Sequence, residues 1–174
     1  GALRPNFVPF LHSFLFSILG HSTKVAVLTL NSISLIFISL TLFGLGARIF
    51  DRNVGLLACI IFLTFPSVSL WSRYYNLDLP LTAFLTSTVW AAVAIEQSEY
   101  KSKFLSVLLG VLIGVGMASK HLYSAFAFFP LAWLLGTHLT RNSFKPIAAI
   151  KSAPWLYGFF AAGILFGVYY HLVI

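Results

Sequence analysis

In the stretch 71–81, Trp-Ser-Arg-Tyr-Tyr-Asn-Leu-Asp-Leu-Pro-Leu, a guanidinium, a carboxylate and two phenols stand between two long apolar runs. Asp78 is one of only four acidic residues in the chain, and the one that neither adjoins a cluster of basic residues nor sits in an evidently solvated loop. Ionisable groups at the edge of hydrocarbon cost a few kcal/mol each on insertion scales, so they are kept for function or for pairing. A carboxylate there can take a proton from, or orient, an attacking hydroxyl or amine. The competing reading is structural: Arg73 and Asp78 form an interface anchor, with Trp71, Tyr74 and Tyr75 as an aromatic belt.

The elements that would position these groups are hydrophobic. Of the 174 residues, 59% are hydrophobic and 9% charged, a balance outside the range of soluble domains and expected of an integral membrane protein. A net charge of +7 would suggest nucleic acid in a soluble protein. Here the basic residues are dispersed among the connections between apolar runs, where they read as topology determinants, and no nucleic-acid partner is expected. Cys59, the single cysteine, lies inside an apolar run and reads as a small packing residue; it can support neither a disulfide framework nor a cysteine metal cluster.

The first apolar run, 7–19, lacks a basic leader and a cleavage site and is too short to span comfortably; it is expected to be an interfacial helix ended by Gly20. Six spans are expected after it, over 24–47, 54–70, 79–95, 104–119, 122–136 and 154–174, with Asn31, Ser32, Ser34 and Ser39 of the first facing other helices. The fold class is therefore all-α, a polytopic transmembrane helical bundle. Two parts are expected: 1–23, the end of an outer loop with the interfacial helix, and 24–174, the transmembrane core. The chain opens without methionine and stops within an apolar run, so it is expected to be an excerpt of a longer protein.

If the connections at 48–53, 96–103 and 137–152 share one side, that side holds Arg48, Arg52, Lys101, Lys103, Arg141, Lys145 and Lys151, and the other holds Arg4, Lys24, Arg73 and Lys120. The excess of basic residues makes the first side cytoplasmic. Arg4, Arg73, Asp78, Lys120 and His121 then gather at the outer or lumenal level, a set able to bind an anion. Lys120 ends the small-residue run Gly110, Gly114, Gly116, Ala118, which permits close helix packing. Each member alone has an ordinary reading: glycine faces pack, lysines snorkel, and a lone histidine is a packed or interfacial residue.

The order of these motifs resembles the polytopic glycosyltransferases of GT-C fold. The resemblance is carried by Leu3-Arg4-Pro5-Asn6-Phe7 before a Gly-ended helix, and by Gly46-Ala47-Arg48-Ile49-Phe50 followed by Val54-Gly55-Leu56-Leu57-Ala58. Ser72-Arg73 with Asp78 five residues on, and the Gly110 to Lys120 run, which resembles a glycine stretch ending in Thr-Lys-Gly, complete it. The similar families are the protein O-mannosyltransferases, the bacterial aminoarabinose transferase acting on lipid A, and related lipopolysaccharide glycosyltransferases. His121 stands where the family has glycine, and Asn6 where the commoner opening has a second proline.

The resemblance implies transfer of a sugar from a polyprenyl phosphate, undecaprenyl or dolichyl, to a lipid, glycan or protein acceptor on the periplasmic or lumenal face. The membrane would be a bacterial inner membrane or the endoplasmic reticulum. It implies a catalytic or acceptor-positioning role for Asp78. Arg4 and Lys120 fall to the phosphate, Arg73 to the phosphate or to Asp78, and His121, Tyr74 and Tyr75 to substrate binding. It places the family's principal first-loop aspartate before Gly1 and a soluble domain downstream. It also allows a divalent metal, for which the sequence offers no ligand set of diagnostic spacing. Two other classes compete: a transporter segment with an anion-attracting outer face, which expects internal symmetry and polar groups at mid-depth, and a non-catalytic scaffold, which has no reason to gather charge on one face.

Overall fold

A chain this apolar must satisfy its backbone polar groups within itself, and helices do so segment by segment. The computed structural model describes residues 7–19, 23–74, 78–120 and 122–173. Those residues form α1 (Phe7–Ile18), α2 (Thr23–Ile49), α3 (Arg52–Thr64), α4 (Pro66–Trp71), α5 (Asp78–Gln97), α6 (Lys103–Ser119), α7 (Leu122–Arg141), α8 (Pro146–Ser152) and α9 (Pro154–Val173). No strand occurs among the described residues. Four helices, α2, α5, α7 and α9, are long and apolar enough to cross a membrane, and α1, α3 and α6 are shorter apolar helices.

The expected span over 54–70 is two helices. Pro66 has no N–H to donate and disfavours helical geometry at the residue before it, so Phe65 turns extended (φ −66, ψ 122), ending α3 and starting α4. Pro130, by contrast, is carried inside α7, and that helix runs past the expected end at Gly136 to Arg141. The connection expected over 137–152 thus contains the last turn of α7 and the short α8. Ser32, expected to face a neighbouring helix, is exposed, while Asn31 and Ser34 are buried.

Packing follows the small residues. A Cβ on Gly46 would lie 2.4 Å from the Cα of Gly55, so α2 and α3 touch backbone to backbone, and Asp51 starts α3 by accepting from the N–H groups of Asn53 and Val54 at 2.7 and 2.9 Å. Helices α6 and α9 make the most extensive contact, with a Cβ on Gly163 placed 2.4 Å from the carbonyl oxygen of Gly110. Close approach of this kind supplies the dispersion that holds helices together where lipid removes the hydrophobic driving force. The main core, including Ile95, Leu109, Ile113, Tyr123 and Leu134, lies among α5, α6, α7 and α9. Cys59 is half-buried and donates its thiol to the Ser39 carbonyl at 2.9 Å.

Two ends of the bundle differ in their polar contacts. At one, Arg48 bonds Gln97, Arg141 pairs with Glu96, and Lys101 pairs with exposed Glu99 at 2.5 Å, holding that carboxyl below the usual carboxylate range. The other end carries Asp78 and Lys120.

Candidate active site

Asp78 is the first residue of α5, and Lys120 caps the far end of α6 in extended backbone (φ −162, ψ 137). A carboxylate at a helix start and an ammonium at a helix end both oppose the charge of the local helix dipole. Although 42 residues apart, the two meet: Lys120 Nζ donates to Asp78 Oδ1 at 2.5 Å. The pair sits at the water-accessible edge, the lysine side chain 35% and the carboxylate 57% exposed.

Behind Lys120 the end of α6 is fastened twice. Its backbone N–H bonds the Gly116 carbonyl at 3.4 Å, and His171, near the end of α9, donates Nε2–H to the Met117 carbonyl at 2.7 Å. Gly116 leaves room for the Tyr123 ring, since a Cβ there would fall 2.3 Å from it; the Tyr123 hydroxyl meets Thr88 of α5 at 2.7 Å. Asp78, at the other side of the pair, is approached by its own helix: Thr82 Oγ1 donates to its carbonyl at 2.7 Å.

The segment after α4 is tied down by a residue distant in sequence. Buried Asn31, on α2, donates its amide to the carbonyls of both Ser72 and Tyr74 at 2.9 Å. Arg73 and the Tyr74 ring project outward from this anchored backbone, and the guanidinium carries no ion pair among the described residues. Arg4, Tyr75 and His121 lie outside the described residues. Of the expected set the structure therefore brings together Asp78 and Lys120, while Arg73 is exposed and has no ion pair among the described residues.

One hollow adjoins Asp78, and a larger groove begins just below it along α5. A hollow of about 180 Å³ between α4 and α5 is bordered by Asp78, Trp71, Ser67 and Thr82. A groove of about 540 Å³ runs down between α2, α5 and α6, with Leu11 of α1 at its wall. Its uppermost α5 residue, Pro80, is about half a turn below Asp78. The groove is apolar even where hydroxyls line it: Ser34 returns its O–H to the Leu30 carbonyl and Thr41 to Phe37, both at 2.9 Å.

Among the described residues no three His, Cys, Asp or Glu side chains cluster, and Asp78 pairs with an ammonium. The described side chains do not fit a cation site.

A family model of dolichyl-phosphate-mannose-protein mannosyltransferases matches residues 4–171. The chain belongs to that family. The match spans all seven candidate site residues, and membership makes this an integral membrane protein of the glycosyltransferases. No curated protein and no solved structure matches the chain.

Sequence reasoning did not find the parts of Asn31 and His171. Asn31 was visible as a polar residue one-third of the way along an apolar span, and His171 as an ionisable residue late in another. Neither position reveals its partner, because both bonds run to backbone carbonyls of distant segments.

Proposed function

We propose that this glycosyltransferase takes its sugar from a polyprenyl phosphate and transfers it at the outer or lumenal face, with Lys120 on the donor phosphate and Asp78 on the acceptor. The observation that carries the reading is the Asp78–Lys120 pair at the end of α5 and α6 nearest a long apolar groove, whose lining on α5 begins at Pro80, two residues on from Asp78. An amphiphile with an anionic head and an extended hydrocarbon tail complements both features at once.

The chemistry follows from charge. As the acceptor oxygen or nitrogen bonds the anomeric carbon, the bond from that carbon to the phosphate oxygen breaks and the phosphate keeps the electron pair. Lys120 offsets the growing charge on the phosphate with its ammonium. Before the donor arrives, the ammonium is engaged by Asp78. A phosphate bound to Lys120 competes for that ammonium and releases the carboxylate, which accepts the acceptor proton or orients the nucleophile. The hollow between Asp78 and Trp71 gives the acceptor a place beside the carboxylate. Arg73, exposed and without an ionic partner among the described residues, and Arg4 add positive charge toward the phosphate; His121, Tyr74 and Tyr75 complete the substrate contacts. Residues 1–23 serve as the end of an outer loop and 24–174 as the membrane core.

The test is transfer in proteoliposomes from sugar-linked undecaprenyl or dolichyl phosphate, compared with the same sugars as nucleotide conjugates. Transfer from the lipid phosphate, with donor binding weakened in Lys120→Gln, is expected. Transfer only from the nucleotide sugar, or donor binding indifferent to Lys120, overturns the reading.

A further inference from the structure

The groove has a built floor. Along α2 its lining descends from Leu30 through Phe37 to Gly44, and along α5 from Pro80 through Phe84 to Trp90, so Gly44 and Trp90 are its lowest residues on both helices. The indole lies against the Gly44 backbone: a Cβ there would fall 2.6 Å from Trp90 Nε1 and 2.9 Å from Cδ1. From below, the Arg48 guanidinium stands 5.4 Å from the indole centroid. Arg48 is itself fixed, donating Nη1–H to Gln97 Oε1 at 3.0 Å while Gln97 Nε2 donates back to the Arg48 carbonyl at 3.2 Å. The ring is thus held by the α2 backbone and a cation, and its partners come from both helices that form the groove.

We infer that Trp90, seated on Gly44 and capped by Arg48, is a chain-length determinant: it stops the donor's isoprenoid tail about four units from the phosphate and turns the remainder out into the bilayer. The proposal rests on the reading that the groove takes the donor tail. From Asp78 to Trp90 is twelve residues of α5, about 18 Å of helix at 1.5 Å per residue. An extended isoprenoid unit of four chain bonds, each about 1.5 Å, covers roughly 5 Å, so the fourth unit meets the indole. The outer rim supplies the way out, since Ile33, Phe37 and Leu40 are all exposed on the lipid-facing side of α2. Units above the floor touch groove walls on several sides; units beyond it touch mainly lipid. Only the first group distinguishes the protein from the bilayer, because in lipid association rests on packing rather than on escape from water.

The experiment uses isoprenoid monophosphates of two to eight units as competitors of donor binding, with the full chain in nanodiscs and each competitor at equal mole fraction. In the wild-type protein apparent affinity should rise about threefold per added unit, a packing-sized increment, and level off near four units. In Trp90→Ala, and in Trp90→Leu as the smaller disturbance, the levelling point should move to longer chains. Trp90→Phe should keep it near four. A wild-type series that rises evenly through eight units refutes the floor without requiring any variant. A levelling point unchanged in folded Trp90→Ala or Trp90→Leu assigns the limit elsewhere and also refutes it. Failure of every isoprenoid phosphate to compete, in a protein that transfers sugar, refutes instead the underlying reading of the donor.

Discussion

The Asp78→Asn substitution separates the two roles open to this carboxylate. As an anchor it contributes an ion pair whose members are 57% and 35% exposed, and water at that edge screens the attraction. Such pairs are worth about 0 to 1 kcal/mol, so the variant should fold and keep its stability to within about 1 kcal/mol. As the group that accepts or aligns the nucleophile's proton, Asp78 is worth much more. Loss of a positioned base lowers rate by about 10²-fold or more, equivalent to roughly 2.7 kcal/mol or above at 1.36 kcal/mol per decade. The two expectations differ by more than a kcal/mol and are resolved by one assay, single-turnover transfer from a saturating polyprenyl-phosphate sugar in proteoliposomes. Lys120→Gln and the double variant complete a cycle. A shared role as a mere pair predicts three equal, small losses, since breaking a pair from either side removes the same contact. The proposed division predicts that Asp78→Asn lowers the rate at saturation while Lys120→Gln chiefly weakens donor binding. Turnover of Asp78→Asn within about fivefold of wild type, the factor that 1 kcal/mol produces, would return the residue to the anchor role.

Other consequences are as direct. Asn31→Leu removes both bonds to the Ser72 and Tyr74 carbonyls and should cost about 1–3 kcal/mol, with faster amide exchange at 72–74; unchanged exchange there refutes the tether. Gly163→Ala puts a methyl 2.4 Å from the Gly110 carbonyl oxygen, whereas a Cβ at Gly158 meets nothing within 4 Å. Thermal unfolding should therefore show a loss of about 1–3 kcal/mol for the first and none for the second, and equal effects contradict the α6–α9 packing. In a Cys59→Ser background, Tyr74→Cys should react with an impermeant thiol reagent from outside and Glu99→Cys should not, and the reverse pattern overturns the sidedness. His171→Phe should lower affinity for donor without abolishing turnover at saturation, because it frees the end of α6 that presents Lys120; wild-type donor affinity would dissociate the two.

Composition and apolar run length determined the class: with this little charge and this much hydrocarbon, internally bonded helices are the stable solution, and their approximate bounds follow from polar punctuation. The sequence also marked Asp78 and Lys120 as costly positions, because a charge beside a long apolar run is conspicuous whatever the fold. It could not show that they touch. That contact depends on α5 starting and α6 ending at the same level, which small-residue packing and the length of each helix set together. The break at Phe65–Pro66 and the continuity through Pro130 show the same limit, since proline removes one hydrogen bond in either case and the surrounding packing decides whether the helix stops. The Asn31 tether, the His171 cap and the Trp90 floor are tertiary in the strict sense. Their partners are backbone carbonyls, a glycine face and a distant guanidinium, groups that leave no periodic or spaced signal along the chain and acquire a relation only when the helices are assembled.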